Sequence, residues 1–339
     1  MKGSRTCHIH AGTHKTASSY IQSRLYQNRE LLARHGLVYD FPGHPKFKHK
    51  PLVRAVNRGA WERLDRYLKR HCHHGESLLL SAEQFTRPLC NPDRLGKIRD
   101  ILARHGFDLH VVIFVRPQLE YINSRYVYDL RCLRHSLSFE DYVQASLASQ
   151  SGDFFDYWQF YTPLLEAGVR CTFLPFSRQY GDPFLQLMQA LGLDVGLGYA
   201  AAAPGRDNVQ HGARGVWLSR LVVERLGRLG QSGQALKKAS KVMRRISEEQ
   251  GWHEERYFGF SDELALRTLN HYQAGNESFA RLVWNRSWLE VFPPRPIKQC
   301  LYTPVSSEDE RKLRILADRT IAELASRNPG LAKAIRASG

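Results

Sequence analysis

The sequence predicts an α/β fold of three layers, a central parallel sheet between helices, with a helical C-terminal region. Three observations predict it. Short apolar runs alternate with helix-patterned segments as far as about residue 192, the order that builds a parallel sheet covered on both faces. The strongest run, Leu109 to Val115 (LHVVIFV), is apolar throughout, as a strand buried on both faces should be. Beyond a Gly/Ala-rich loop at 194–208 the pattern is mainly helical. The reading is a single domain over 1–339, with 1–192 its α/β core and 193–339 a helical region completing its ligand sites.

Taken in order, Thr6 to His10 reads as a buried strand closed by Ala11-Gly12, and Thr16 to His35 as a helix stopped by Gly36. Leu37 to Tyr39 is a short strand. Phe41 to Pro51 is a polar loop, and Leu52 to His73 a helix. Ser77 to Ser81 is a compact strand, and Asp93 to His105 a helix ended by Gly106. After Leu109 to Val115, Pro117 suits the first turn of a helix. Helices follow at Phe139–Ala148 and Tyr157–Glu166, then a strand at Val169–Leu174 and a helix at Pro183–Leu191. The C-terminal helices fall at Gly215–Leu229, Gln234–Glu249, Asp262–Trp284 and Glu308–Ser326.

The bulk properties narrow the function classes. With 49 Lys+Arg against 33 Asp+Glu the net charge is +16, which favours anionic partners without choosing among them. The six cysteines form no close pair, which argues against a zinc module or a disulfide framework and suits a reducing cytoplasm. Cys7 and Cys171 fall in strand-like runs and read as buried. The N-terminus has no apolar signal core, and no run of 18 apolar residues is present, so a cytoplasmic protein without a membrane span is expected.

The informative segment is Cys7-His-Ile-His-Ala-Gly-Thr-His-Lys-Thr-Ala-Ser-Ser. A strand ends, a small loop follows, and a helix begins. A helix start offers unpaired N–H groups and the positive end of the dipole, a ready anion site. Lys15 adds a cation, and Thr16, Ser18 and Ser19 add hydroxyls. Gly12 and Ala17 allow close backbone approach. The spacing is not that of the phosphate loop Gly-x4-Gly-Lys-[Ser/Thr].

His14-Lys15-Thr16-Ala17-Ser18-Ser19 resembles the 5′-phosphosulfate loop of sulfotransferases that use 3′-phosphoadenosine-5′-phosphosulfate (PAPS), with Ala17 where a glycine is usual. Alanine is a mild change provided the backbone there has no positive φ. The family's second motif is matched by VVIFV-Arg116-Pro-Gln-Leu-Glu-Tyr-Ile-Asn-Ser124. The resemblance implies a P-loop NTPase-like fold, PAPS as donor with 3′-phosphoadenosine-5′-phosphate (PAP) as product, and no metal. It assigns Gly12, His14, Lys15, Thr16, Ala17, Ser18 and Ser19 to the 5′ end of the donor. Arg116 and Ser124 take the 3′-phosphate, and Arg206, in an Arg-x-Asn segment, is a further donor contact. Arg116 also suits phosphate chemically, since a guanidinium binds phosphate in bidentate fashion.

Sulfonyl transfer needs a base for the acceptor's proton. In the resembling family it follows the strand after the phosphate loop, where this chain has Ser81-Ala82-Glu83. Glu83 is the expected base, with His44 and His49 as alternatives, and Lys15 is the expected stabiliser of charge on the transferring group. The cluster at 71–74 (His-Cys-His-His) lacks a second cluster to complete a metal site. The expected acceptor is a hydroxyl or amine. The basic surface, including Lys46, Lys48, Lys50, Lys237, Lys238, Lys241, Arg244 and Arg245, suits an anionic glycan or glycolipid and peripheral membrane contact; nucleic acid is not expected. A nucleotide-dependent kinase and a non-catalytic polyanion binder are the competing readings.

Overall fold

The computed structural model describes residues 5–41, 48–71, 75–148, 154–201, 211–233 and 236–338. It is an α/β structure around one five-stranded sheet: β1 (Arg5–Gly12), β2 (Leu37–Val38), β3 (Ser77–Ser81), β4 (Phe107–Val115) and β5 (Arg170–Pro175). The order is β2-β3-β1-β4-β5, and every pairing is parallel. From β1 the chain crosses one way to β2; from β3 it crosses the other way to β4. Right-handed crossovers of opposite direction pass on opposite faces. The chain therefore diverges at the C-terminal ends of β1 and its neighbours, where open α/β sheets hold ligands.

Folding places helices on both faces. On one, Leu79, Val112 and Phe114 pack with Ile21, Leu25, Phe184 and Leu187 of flanking helices. On the other, the Phe173 ring meets Tyr161 and Phe279 at 5.3 and 5.0 Å, and Trp284 Nε1 donates to the Phe173 carbonyl (2.7 Å).

Two expected long helices are each broken. The first divides into Ser18–Gln27 and Arg29–Arg34, because the Asn28 amide bonds the Arg24 carbonyl (2.8 Å) and both backbone groups of Ala200 (3.1 and 2.8 Å). The second divides into Lys50–Asn57 and Trp61–His71 at Gly59, which has φ +72°. Cys7 is wholly buried in β1; Cys171 on β5 is only partly so.

The chain forms two compact units of interleaved segments. The first comprises Met1–Pro117, Ser151–Asn208 and Tyr272–Pro294; the second Gln118–Gln150, Val209–His271 and Arg295–Gly339. The first holds the sheet. In the second, helices including Ala213–Arg228, Ala239–Glu249 and Ser307–Ala325 enclose a core of Leu218, Val222, Met243, Ile246, Ala317 and Leu324. Inside it the buried His211 ring bonds Ser247 Oγ (2.7 Å) and Ser219 Oγ (2.9 Å). Among the described residues no helix is long and apolar enough to cross a membrane.

Candidate anion site at the end of β1

β1 delivers Gly12 to the edge of the sheet, and residues 13–17 turn the chain into the helix Ser18–Gln27. The turn is closed by Thr16 Oγ1, which donates to the Thr13 carbonyl (2.7 Å). Lys15 and Ala17 take the left-handed conformation, at φ +71° and +57°. Such turns curl backbone N–H groups toward one point and make anion-binding concavities. The helix start has no side-chain cap and no acidic residue in its first turn. The Ser18 hydroxyl, only 2% exposed, has no partner of hydrogen-bonding geometry.

The positive φ at Ala17 corrects the sequence expectation. Alanine here is a strained residue, because a left-handed backbone crowds its Cβ. Gly12 is the converse. A Cβ there would sit 3.7 Å from Thr16 Oγ1, an ordinary contact, so packing does not require glycine. Its N–H donates to Thr86 Oγ1 (2.9 Å), whose proton lies between the Gly12 and Glu83 carbonyls (2.9 and 2.8 Å).

Arg116, just past β4, reaches the loop: its Nη1 donates to the Lys15 carbonyl at 2.9 Å. The Tyr157 hydroxyl donates to the Arg116 carbonyl, and the guanidinium carbon lies 5.8 Å from the Phe176 ring centre. Lysine 15, the helix start and Arg116 thus form one assembly from residues 101 positions apart.

Glu83 begins the short turn Glu83–Phe85 after β3. Its Oε2 lies 3.0 Å from His14 Nδ1, with 24% and 28% of the two side chains exposed. Burial pushes the carboxyl upward, but the His14 hydrogen bond and charge, the nearby Ser18 hydroxyl and the Lys48 cation outweigh it and hold Glu83 at about 2. The group is therefore ionised at neutral pH, yet a weak proton acceptor by itself.

His49 is wholly buried. Its Nδ1 accepts from the Ser81 N–H (3.0 Å), its Nε2 donates to the Asp40 carbonyl, and its own N–H donates to the Ser81 carbonyl (3.1 Å). Burial lowers its pKa to about 4. Both ring nitrogens are used, so His49 is a structural pin on β3 and not the alternative base. A second buried knot joins His10 Nδ1 to Ser81 Oγ (2.8 Å), with Gln22 Nε2 at 3.1 Å from the same hydroxyl.

Ser19 Oγ accepts from Lys48 Nζ (3.0 Å), a contact across 29 residues that no local pattern signals. Ser124 is part-exposed on the helix Gln118–Arg131 of the second unit. His44, Lys46 and Arg206 lie outside the described residues, as do positions 72–74. Among the described residues no group of three or more His, Cys, Asp or Glu side chains could hold a metal ion. A cavity of about 390 Å³, lined in part by Arg99, Asp108 and Arg170, lies at the opposite, N-terminal ends of β4 and β5, away from this chemistry. No family model, no curated protein and no solved structure matches the chain.

Proposed function

We propose that the protein is a PAPS-dependent sulfotransferase with a P-loop NTPase-like core. The observation that carries the reading is the assembly at the end of β1: an uncapped helix start behind Lys15, tied through the Lys15 carbonyl to Arg116. The strand order β2-β3-β1-β4-β5, with this loop on the central strand, supports it. So does a cation, Arg116, at the end of β4.

In this reading the loop N–H groups and Lys15 bind the 5′-phosphosulfate, and Arg116 binds the 3′-phosphate. A guanidinium carries five donors, so bonds to the Lys15 carbonyl and to a phosphate are compatible. The acceptor oxygen or nitrogen attacks sulfur, a new bond to sulfur forms, and the bond from sulfur to the bridging phosphate oxygen breaks. PAP leaves with that oxygen and its electron pair. The helix start and Lys15 stabilise the charge that develops there.

The proton goes to the His14–Glu83 pair. Glu83, held ionised, accepts His14 Nδ1–H and so orients the ring. In that tautomer Nε2 is the basic atom, the logic by which a carboxylate directs a histidine. Glu83 thereby moves from the expected base to the residue that positions it. The chain's surplus of positive charge suits an anionic glycan or glycolipid as acceptor.

Calorimetric titration with PAP, AMP, ADP and ATP–Mg²⁺ tests the reading. PAP binding in the micromolar range, weakened at least tenfold by Arg116→Ala, is the expected result. Preference for ATP–Mg²⁺ would favour a kinase, for which Glu83 at the end of β3 is the natural metal-side carboxylate. Salt-sensitive binding of polyanions with no nucleotide binding would favour a non-catalytic role.

A further inference from the structure

We propose that Lys48 is a ligand of the group being transferred, distinct in role from Lys15 and Arg116. The inference rests on the donor reading above and adds a residue to it. Lys48 Nζ donates to Ser19 Oγ at 3.0 Å. Ser19 is the second residue of the helix Ser18–Gln27, so the ammonium group stands at the uncapped helix start. The buried Ser18 hydroxyl in the same turn makes no bond of full hydrogen-bonding geometry and lies near the Glu83 carboxylate. A helix start and an ammonium group meet there, with a buried hydroxyl in the same turn, the chemistry that holds a sulfonate or phosphate.

The side on which Lys48 stands gives it its role. The next residue, His49, is bonded to Ser81 at the end of β3, and Glu83 begins the turn that follows, so Lys48 stands beside the strand end that carries the His14–Glu83 pair, where the acceptor would lose its proton. Arg116 bonds the loop through the Lys15 carbonyl instead. Arg116 belongs to the end of the donor that product and donor share; Lys48 belongs to the terminal group that only the donor carries.

The backbone at Lys48 is fixed by its neighbour. His49 is bonded through its ring and its N–H to both backbone groups of Ser81 (3.0 and 3.1 Å), and the rings of Tyr39 and Tyr67 flank it at 5.3 and 5.9 Å. A lysine on a free loop would sample many positions; this one starts from a pinned backbone beside the end of β3.

The experiment compares PAPS and PAP binding, without acceptor, to wild type, Lys48→Ala and Lys48→Arg, with thermal melts to establish folding. Lys48→Ala should weaken PAPS about tenfold and PAP less than twofold, and Lys48→Arg should restore most of the PAPS affinity. Equal weakening of both nucleotides, or no weakening of either, would overturn the proposal. If wild type binds neither nucleotide, the donor reading fails and pyrophosphate decides Lys48 on its own. Pyrophosphate bound about tenfold more weakly by Lys48→Ala sustains Lys48 as an anion ligand; equal affinity removes it.

Discussion

Ala17 sits at φ +57°, ψ +20° immediately before the helix Ser18–Gln27. An L-residue in that conformation carries a Cβ clash of roughly 1–2 kcal/mol. Replacing it with glycine relieves the clash but gives the unfolded chain more freedom, which costs roughly 0.4–1 kcal/mol. The difference favours the substitution, so Ala17→Gly should stabilise the protein by about 0.5–1 kcal/mol. Valine is the complementary perturbation. A β-branched side chain at positive φ is a genuine outlier, and Ala17→Val should lose roughly 1–3 kcal/mol. Urea unfolding reads both, with the glycine midpoint moving up by a few tenths of a molar at an ordinary m-value. PAP affinity should fall two- to threefold in the glycine variant, because a freer loop must be ordered on binding. A destabilised glycine variant alongside a tolerated valine would refute the left-handed assignment and the reasoning built on it.

Three further outcomes are expected. Burial lowers the pKa values of His8 and His211 to about 3 and of His10, His49 and His110 to about 4, below the ordinary ~6.5 of the unfolded chain. Their contribution is therefore complete above pH ~6.5 and is lost as pH falls through about 4 toward 3; urea midpoints should drop steeply across that window, and a flat profile would contradict it. Glu83→Gln keeps an oxygen for His14 Nδ1–H but removes the charge, so sulfonate turnover should fall about 10²-fold with PAP affinity little changed; retained turnover would remove the pair from proton transfer. A Cβ at Gly215 would stand 2.6 Å from Ser247 Oγ and 2.8 Å from His211, so Gly215→Ala should cost roughly 1–3 kcal/mol in urea unfolding, and a neutral result would mean that the helix Ala213–Arg228 shifts to make room.

Much of the first unit was legible because its signals are local. Ser77–Ser81 and Phe107–Val115 are apolar runs whose burial follows from composition, and the loop between Gly12 and Ser18 is a contiguous pattern. Arg116 was legible because a strand end and a cation are adjacent in sequence. The breaks at Asn28 and Gly59 were not. Asn28 is held by Ala200, 172 residues away, and no helical periodicity carries that contact. The structural part of His49 was not legible, because its ring is held by Asp40, Tyr67 and Ser81, and the last two are distant in sequence. Lys48, Thr86 and Tyr157 entered the site through contacts over 29, 74 and 41 residues. The strain at Ala17 depends on a dihedral angle that a residue name does not contain.

The histidines on β1 bear on how the sheet finds its alignment. His8 faces His110 with their Nδ1 atoms 2.8 Å apart, and His110 Nε2 meets Thr172 Oγ1 at 2.8 Å; two residues on, His10 meets Ser81. A slip of β1 by one position would turn both imidazoles to the opposite face of the sheet. A slip by two would keep the face but set His8 across from Val112 instead of His110, given the pairing of His10 with Val112. Either error leaves a buried ring without a partner, a penalty comparable to a lost core contact. Apolar strands attract one another in many alignments; these polar pairs form in one, so the central strand carries its own proofreading against mispaired sheets.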